Sequence, residues 1–105
     1  MAQVFDLNTG MDWSGLADAE VRAIPLVHYP NGMRVRVLVS RCGTWPQHVE
    51  QSAELYVVLA GEVVFLTDRE QRVSAGHAIL LAPGEPHGGR VEHGAVSINV
   101  DWAPT

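Results

Sequence analysis

The sequence predicts an all-β protein, an antiparallel barrel or jelly roll, and two observations support this prediction. Apolar residues either recur with the two-residue period of half-buried strands or form short β-rich runs. Seven or eight such segments follow one another at regular spacing, with turn residues between them. This combination is typical of antiparallel barrels and jelly rolls.

The first two predicted strands, 21–28 and 33–41, flank Pro30-Asn31-Gly32, which resembles a hairpin turn. In segment 33–41 apolar residues alternate with polar ones, which predicts a half-buried strand. The later predicted strands are, in chain order, 55–60, 63–67, 72–74, 78–82 and 95–102.

Short polar or glycine-containing segments are expected to connect these later strands. Gly61-Glu62 predicts a tight hairpin between 55–60 and 63–67. Residues 68–71 and 83–86 predict turns before and after the next strands. The one helical candidate is 14–20, with Ser14 as a helix N-cap.

Length and composition indicate one globular domain over 1–105. Hydrophobic residues make up 47% and charged residues 18% of the chain, which argues against disorder. The formal net charge is −5, and all seven basic residues are arginines without a clustered run. Nucleic acid is therefore not an expected partner, because binding phosphates requires clustered cations.

Cysteine usage and the chain's first residues indicate a cytoplasmic protein. Cys42 is the single cysteine, so it can form neither an internal disulfide nor a thiolate zinc site alone. Residues 1–10 contain no basic residue and no apolar run, so we do not expect a signal peptide. The run 55–60 is too short to cross a bilayer, and no membrane association is expected.

The candidate site combines histidines and glutamates that alternation places on one face. His48 and Glu50 are two residues apart, so in an extended segment they point to the same side. Glu54 and Tyr56 share a face of the next strand, and His87 follows a predicted turn. If these faces line the barrel interior, two imidazoles and one or two carboxylates converge, which is typical of a divalent-metal site.

Two segments resemble the two sequence motifs of the cupin superfamily. Segment 43–61 resembles the first motif, and segment 76–87 resembles the second, in the right order and with a short spacer. The resemblance implies a small single-domain, RmlC-like cupin, a double-stranded β-helix of two antiparallel sheets. The motif residues in this chain are Gly43, His48, Glu54, Gly61, Gly76, Gly84 and His87. The ligands that carry over to this chain are His48, Glu54 and His87.

The chain departs from the family pattern at the expected fourth ligand. Glu50 replaces the second histidine of the first motif, and the glycine before His48 is one position closer. In the second motif Ala82 replaces the proline, and Val91 replaces an asparagine. If Glu50 points away, the site is a two-histidine, one-carboxylate triad of the non-haem Fe(II) kind. If Glu50 binds, the site is harder and favours Mn, Fe or Zn.

The resemblance implies an enzyme that acts on a small organic molecule. The expected cofactor is a divalent ion (Fe, Mn, Zn or Ni), and the candidate reactions are those of a dioxygenase, a cyclase or isomerase, or a lyase. Tyr56 and Glu50 are the candidate acid and base. The alternatives are a non-catalytic binding or sensing module, since 21–46 also resembles cupins related to anti-sigma factors, and a metal-free cupin.

The remaining polar residues are expected on the surface. His28, His77 and His93 lie at predicted turns or strand ends. For Arg34 and Arg36 a solvated strand face is favoured over an anion-binding wall.

A homodimer is expected from the apolar residues that a small barrel cannot hide. These are Trp13, Trp102 and segment 95–100. Residues 4–7 are expected to add an edge strand or to cross to a partner subunit.

Overall fold

Eight antiparallel strands make up the computed structural model, which describes residues 2–103, and the predicted all-β class is confirmed. The strands are β1 (Val21–His28), β2 (Arg34–Ser40), β3 (Gly43–His48), β4 (Ala53–Leu66), β5 (Glu70–Ser74), β6 (Ala78–Leu81), β7 (His87–Val91) and β8 (Ala95–Trp102). Within the described range no helix is long and apolar enough to span a membrane. A single domain over 1–105 stays a prediction, and residues 1, 104 and 105 lie outside the described range.

The long strand β4 belongs to both sheets. Its first part, 53–61, pairs with β8 on one side and with β6 on the other, and β2 and β1 extend this first sheet beyond β8. Its second part, 62–66, pairs with β5 and β7, and β3 completes the second sheet beside β7. The two sheets therefore enclose an interior, and β4 runs along the wall of both.

The predicted hairpin at Gly61-Glu62 is wrong, because β4 continues through both residues. The chain bends there instead, at a bulge between Val58 and Ala60 and at Gly61, whose φ is +74°. A Cβ on Gly61 would lie 2.0 Å from the carbonyl oxygen of Gly94. The true hairpin follows at residues 67–69, where Leu66 pairs with Glu70.

The predicted helix at 14–20 is also wrong, since these residues form turns. Ser14 is not an N-cap; its backbone N–H donates to the side chain of Asp12 at 2.9 Å. Residues 4–7 add no edge strand. The segment 7–16 instead covers the outer face of the first sheet, where Leu16 is buried and Leu7, Met11 and Trp13 pack beside it.

Both faces of the first sheet are therefore covered, and the more polar face of β2 is the one that points into the barrel. Val37 and Val39 are buried on the outer face beneath segment 7–16. Arg36, Leu38 and Ser40 line the barrel interior. A second apolar cluster lies inside the barrel and consists of Val58, Val63, Phe65, Val73, Leu81, Val91 and Ala95.

The outer strands agree closely with the sequence. The predicted strands 21–28 and 95–102 coincide with β1 and β8, and 33–41 exceeds β2 by one residue at each end. The predicted hairpin between β1 and β2 is confirmed, and the N–H of Tyr29 donates to the carbonyl of Met33 at 2.8 Å across it.

We predict that Gly61→Ala lowers the free energy of unfolding by about 2–5 kcal/mol. Left-handed backbone costs a non-glycine residue about 1–2 kcal/mol, and the clash with Gly94 adds an overpacking cost of about 1–3 kcal/mol. Gly76→Ala is the matched control, because Gly76 has φ +85° but nothing within 4 Å of its Cβ position. Urea unfolding measures both, and equal losses would contradict the close approach at Gly61.

Candidate metal centre

Strand pairing brings the two motif histidines together. His48 ends β3, His87 begins β7, and the two residues are direct partners in the antiparallel register. Their ring centroids lie 4.4 Å apart. The close approach requires Gly88, because a Cβ there would lie 2.8 Å from the backbone nitrogen of Gln47. Since β3 and β7 are far apart in sequence, only this long-range pairing places the imidazoles side by side.

The loop after β3 directs Glu50 toward the same point. Its backbone carbonyl accepts a hydrogen bond from the N–H of Gly84 at 2.8 Å, which ties this loop to the turn before His87. Its carboxylate oxygen Oε1 lies 2.9 Å from Nε2 of His48. One ligand atom each from His48, Glu50 and His87 lies within 4.8 Å of the others. Glu50 therefore points into the site.

Glu54, at the start of β4, is a ligand predicted from the sequence but is not one of these three residues, and it is only 3% exposed. Its Oε2 is 3.9 Å from Nε2 of His87, which is also 3% exposed. Among the described residues, neither of these two buried atoms has a hydrogen-bond partner. A buried polar atom without a partner is costly, and a shared cation would satisfy both.

Backbone carbonyls set the tautomers of both histidines. Nδ1 of His48 lies 3.1 Å from the carbonyl of Pro46, and Nδ1 of His87 lies 3.0 Å from that of Glu85. A carbonyl can only accept, so each Nδ1 carries the hydrogen. Both Nε2 atoms are then left to face the carboxylates, which is the orientation that metal-ligating histidines usually have.

The electrostatics of the cluster also suit a cation. Burial, and then the neighbouring carboxyl of Glu50, raise the pKa of Glu54 to about 7. The hydrogen bond with Glu54, together with His48, lowers the pKa of Glu50. The Pro46 carbonyl, followed by Glu50, raises the pKa of His48. The group therefore holds protons near neutral pH that a bound cation would displace.

The donor set fits a divalent metal ion. Imidazole nitrogens and carboxylate oxygens are ligands that Zn, Fe and Mn accept. The two buried atoms without a hydrogen-bond partner, one on Glu54 and one on His87, are each free to bind such an ion. His28, His77 and His93 are exposed and lie outside the cluster, as predicted.

The candidate metal centre opens into a cavity of about 380 Å³ inside the barrel, which His48, Glu50 and Glu54 line. This volume lies within the range of small-molecule sites. Its walls include Trp45, Tyr56 and Phe65, in edge-to-face or tilted contacts at 6.0 and 5.1 Å between ring centroids. Burial, followed by nearby Glu54, raises the pKa of Tyr56 far above its usual range, so this phenol keeps its proton.

Arg36 also lines the cavity, which corrects the expectation of a solvated face. Arg34, on the same side of β2, instead pairs with Asp101 at 2.9 Å and remains partly exposed. Alternation alone could not reveal this, because it shows which residues share a face but not which face is inside.

Solved structures with the same architecture are numerous. A protein of Ralstonia eutropha, provisionally named a mannose-6-phosphate isomerase, superposes with a TM-score of 0.83 at 11% identity, over 98% of this chain and 100% of its own. A cupin superfamily protein from Desulfitobacterium hafniense gives 0.75 at 11% identity, over 85% and 83%. A Klebsiella pneumoniae protein with a double-stranded β-helix domain gives 0.76 at 17% identity, over 97% and 90%.

At these identities the structural likeness shows the fold alone, and it confirms the predicted double-stranded β-helix of the cupins. No curated protein matches the chain in sequence. The sequence profile of the AraC-like ligand-binding domain matches residues 40–103, which is more than half of the chain and includes β3 to β8. The chain therefore belongs to the AraC-like ligand-binding domain family, a family of cupin-type domains.

Proposed function

We propose that this chain is a metal-dependent enzyme that acts on a small organic molecule. His48, Glu54 and His87 would hold one divalent ion, with Glu50 as a fourth ligand. The observation that carries the proposal is the pair of buried, unpartnered atoms, Oε2 of Glu54 and Nε2 of His87, beside a ligand-sized cavity that Glu54, His48 and Glu50 line. Buried polar atoms of this kind rarely persist without a partner.

The chemistry that such an ion supplies when bound is Lewis-acid activation of a chelating oxygen or activation of oxygen itself. This suits a dioxygenase, or a cyclase, isomerase or lyase that acts beside a carbonyl group. Tyr56 keeps its proton and can donate a hydrogen bond to a substrate oxygen. Glu50 has a lowered pKa, so its carboxylate is ionised at neutral pH and is free to accept a hydrogen bond or a proton where it does not bind the ion. The aromatic walls give the apolar part of a substrate a surface to pack against.

A second candidate is a non-catalytic binding or sensing module. The family match favours it, because that family is described by ligand binding and not by a reaction. The same cavity and the same residues would serve both functions. Turnover of a bound small molecule separates them, since a sensing module would retain its ligand unchanged.

We propose the cytoplasm as the compartment, since the single cysteine, Cys42, is a free thiol.

We also propose a homodimer, formed by the outer face of the first sheet. Segment 7–16 covers only part of that face, so Trp13 is already half-buried. An apolar row crosses the uncovered part and comprises Val35, Val100, Leu55 and Leu80. Leu80 is 63% exposed. Light scattering at micromolar concentration should give the dimer mass, and a monomer mass would contradict this proposal.

The test of the metal site is metal retention after loading and desalting. We expect wild-type protein loaded with Fe, Mn, Ni or Zn to keep about one ion per chain, measured by elemental analysis, and His87→Ala and His48→Ala to lose it. His77→Ala is the matched control, because His77 is exposed on a turn outside the cluster. Wild-type protein without bound metal, or equal retention by His87→Ala and His77→Ala, would refute the site.

In the same experiment Glu50→Gln distinguishes a ligand from a supporting group. Loss of an outer-shell partner typically weakens metal binding about 10–100-fold. We expect a loss of more than about 100-fold, because Glu50 contributes its own oxygen to the ligand group. A loss of about 100-fold or less would support the triad of His48, Glu54 and His87 instead.

In metal-free protein, Glu54→Gln should raise stability at alkaline pH. The pKa of Glu54 is raised from 4.5 to about 7, so the folded chain binds more protons than the unfolded chain in this window. Stability therefore falls as pH rises from about 5 to about 8, by up to about 3 kcal/mol. Urea unfolding in EDTA at both ends of this range measures it, and an unchanged difference between variant and wild type would contradict the buried-carboxylate assignment.

A further inference from the structure

One arginine in the cavity wall has no acidic partner. Arg36 is half-buried on β2, in a cross-strand row with Asn99 of β8 and Tyr56 of β4. Its Nε donates to Oδ1 of the fully buried Asn99 at 3.0 Å. This bond anchors one side of the guanidinium. Within residues 2–103, its terminal nitrogens Nη1 and Nη2 make no hydrogen bond.

The other arginines differ from Arg36 in this respect. Four of them form ion pairs with carboxylates, namely Arg34, Arg41, Arg72 and Arg90. Arg22 donates to the backbone carbonyls of Gly10 and Asp12, and Arg69 is exposed on a turn. Arg36 alone combines partial burial, a cavity position and the lack of a counter-ion among the described residues. A partly buried charge of this kind is stabilised when an anion binds beside it.

The surroundings of Arg36 define the anion. The cavity wall is otherwise mostly apolar, with Trp45, Phe65 and Val91 among its members. The planar fork of a guanidinium binds a carboxylate with two parallel hydrogen bonds. A doubly charged phosphate is disfavoured, because Glu50 and Glu54 line the same cavity.

We propose that Arg36 binds the carboxylate of a small organic acid whose apolar body lies against the aromatic walls. This inference deepens the proposed function and rests on it in one respect only, that the ligand shares the cavity with the metal centre. The amide nitrogen of Asn99 is also buried without a partner, so this row of the sheet has more donors than acceptors. A bound carboxylate supplies the missing acceptors for the guanidinium.

The test compares carboxylates with their neutral amides on metal-free protein in EDTA. The probes are benzoate, phenylacetate and hexanoate, each paired with its amide, and binding is measured by calorimetry and by tryptophan fluorescence, in which Trp45 is the tryptophan of the cavity wall. We expect wild-type protein to bind at least one acid at least tenfold more tightly than its amide, equivalent to about 1.4 kcal/mol. Arg36→Gln should abolish that preference, and Arg36→Lys should retain part of it.

Arg72→Gln is the matched control, because it removes the same charge from a surface ion pair outside the cavity. It should bind the acids as wild type does. The inference is overturned if wild type prefers no acid over its amide, or if Arg36→Gln keeps the preference. Acid binding that appears only with added metal and is insensitive to Arg36→Gln overturns the inference but leaves the metal site intact. Arg36-dependent binding in a chain that retains no metal supports the inference and refutes the metal site.

Discussion

The passage of β4 through both sheets is the constraint on which the rest of the structure depends. One strand pairs with β8 and β6 before its bend and with β5 and β7 after it, so the two sheets are fixed relative to each other by covalent bonds. The bend exists because Gly61 adopts a positive φ directly against the backbone of Gly94. Upstream of the bend β4 supplies Glu54 and Tyr56 to the cavity, and downstream it supplies Val63 and Phe65. Polar and apolar parts of one binding site thus come from one strand.

The candidate metal centre illustrates how a site can oppose the stability of its own fold. Glu54 is almost fully buried between Asp101 and Leu81, its cross-strand partners, and its carboxyl therefore has a raised pKa. Asp101 is neutralised by Arg34, whereas the nearest ion-pair contact of Glu54 among the described residues is His87, at 3.9 Å. A core selected for stability alone would place an apolar residue here. The proposed divalent ion would account for a carboxylate at this buried position.

Much of the fold could be predicted because its signals are local. Strands β1 and β8 have clear alternation and turn residues at their ends, and the cupin motifs identify the histidines and Glu54 by spacing. The errors arose where the same local signal has two structural meanings. Gly61 has the positive φ of a hairpin turn, yet the chain bends within a strand there. Segment 14–20 has turn-forming polar residues that resemble a capped helix, but it forms turns, and its Leu16 packs on the sheet.

The position of Arg36 could not be predicted for a related reason. Alternation in β2 separates Val37 and Val39 from Arg36 and Leu38, and burial of the valines is correctly implied. The assumption that the valines face the barrel interior fails, because segment 7–16 supplies a second core on the outside of the sheet. Once that outer core exists, the interior face is free to carry polar side chains without exposing the valines. By burying the valines, the covering segment offsets the free-energy cost of a polar interior face. Two cross-strand rows of that face, one pleat repeat (about 7 Å) apart, can therefore carry side chains of different chemistry. The row of Arg34, Asp101 and Glu54 includes a candidate metal ligand, and the row of Arg36, Asn99 and Tyr56 holds the unpaired guanidinium.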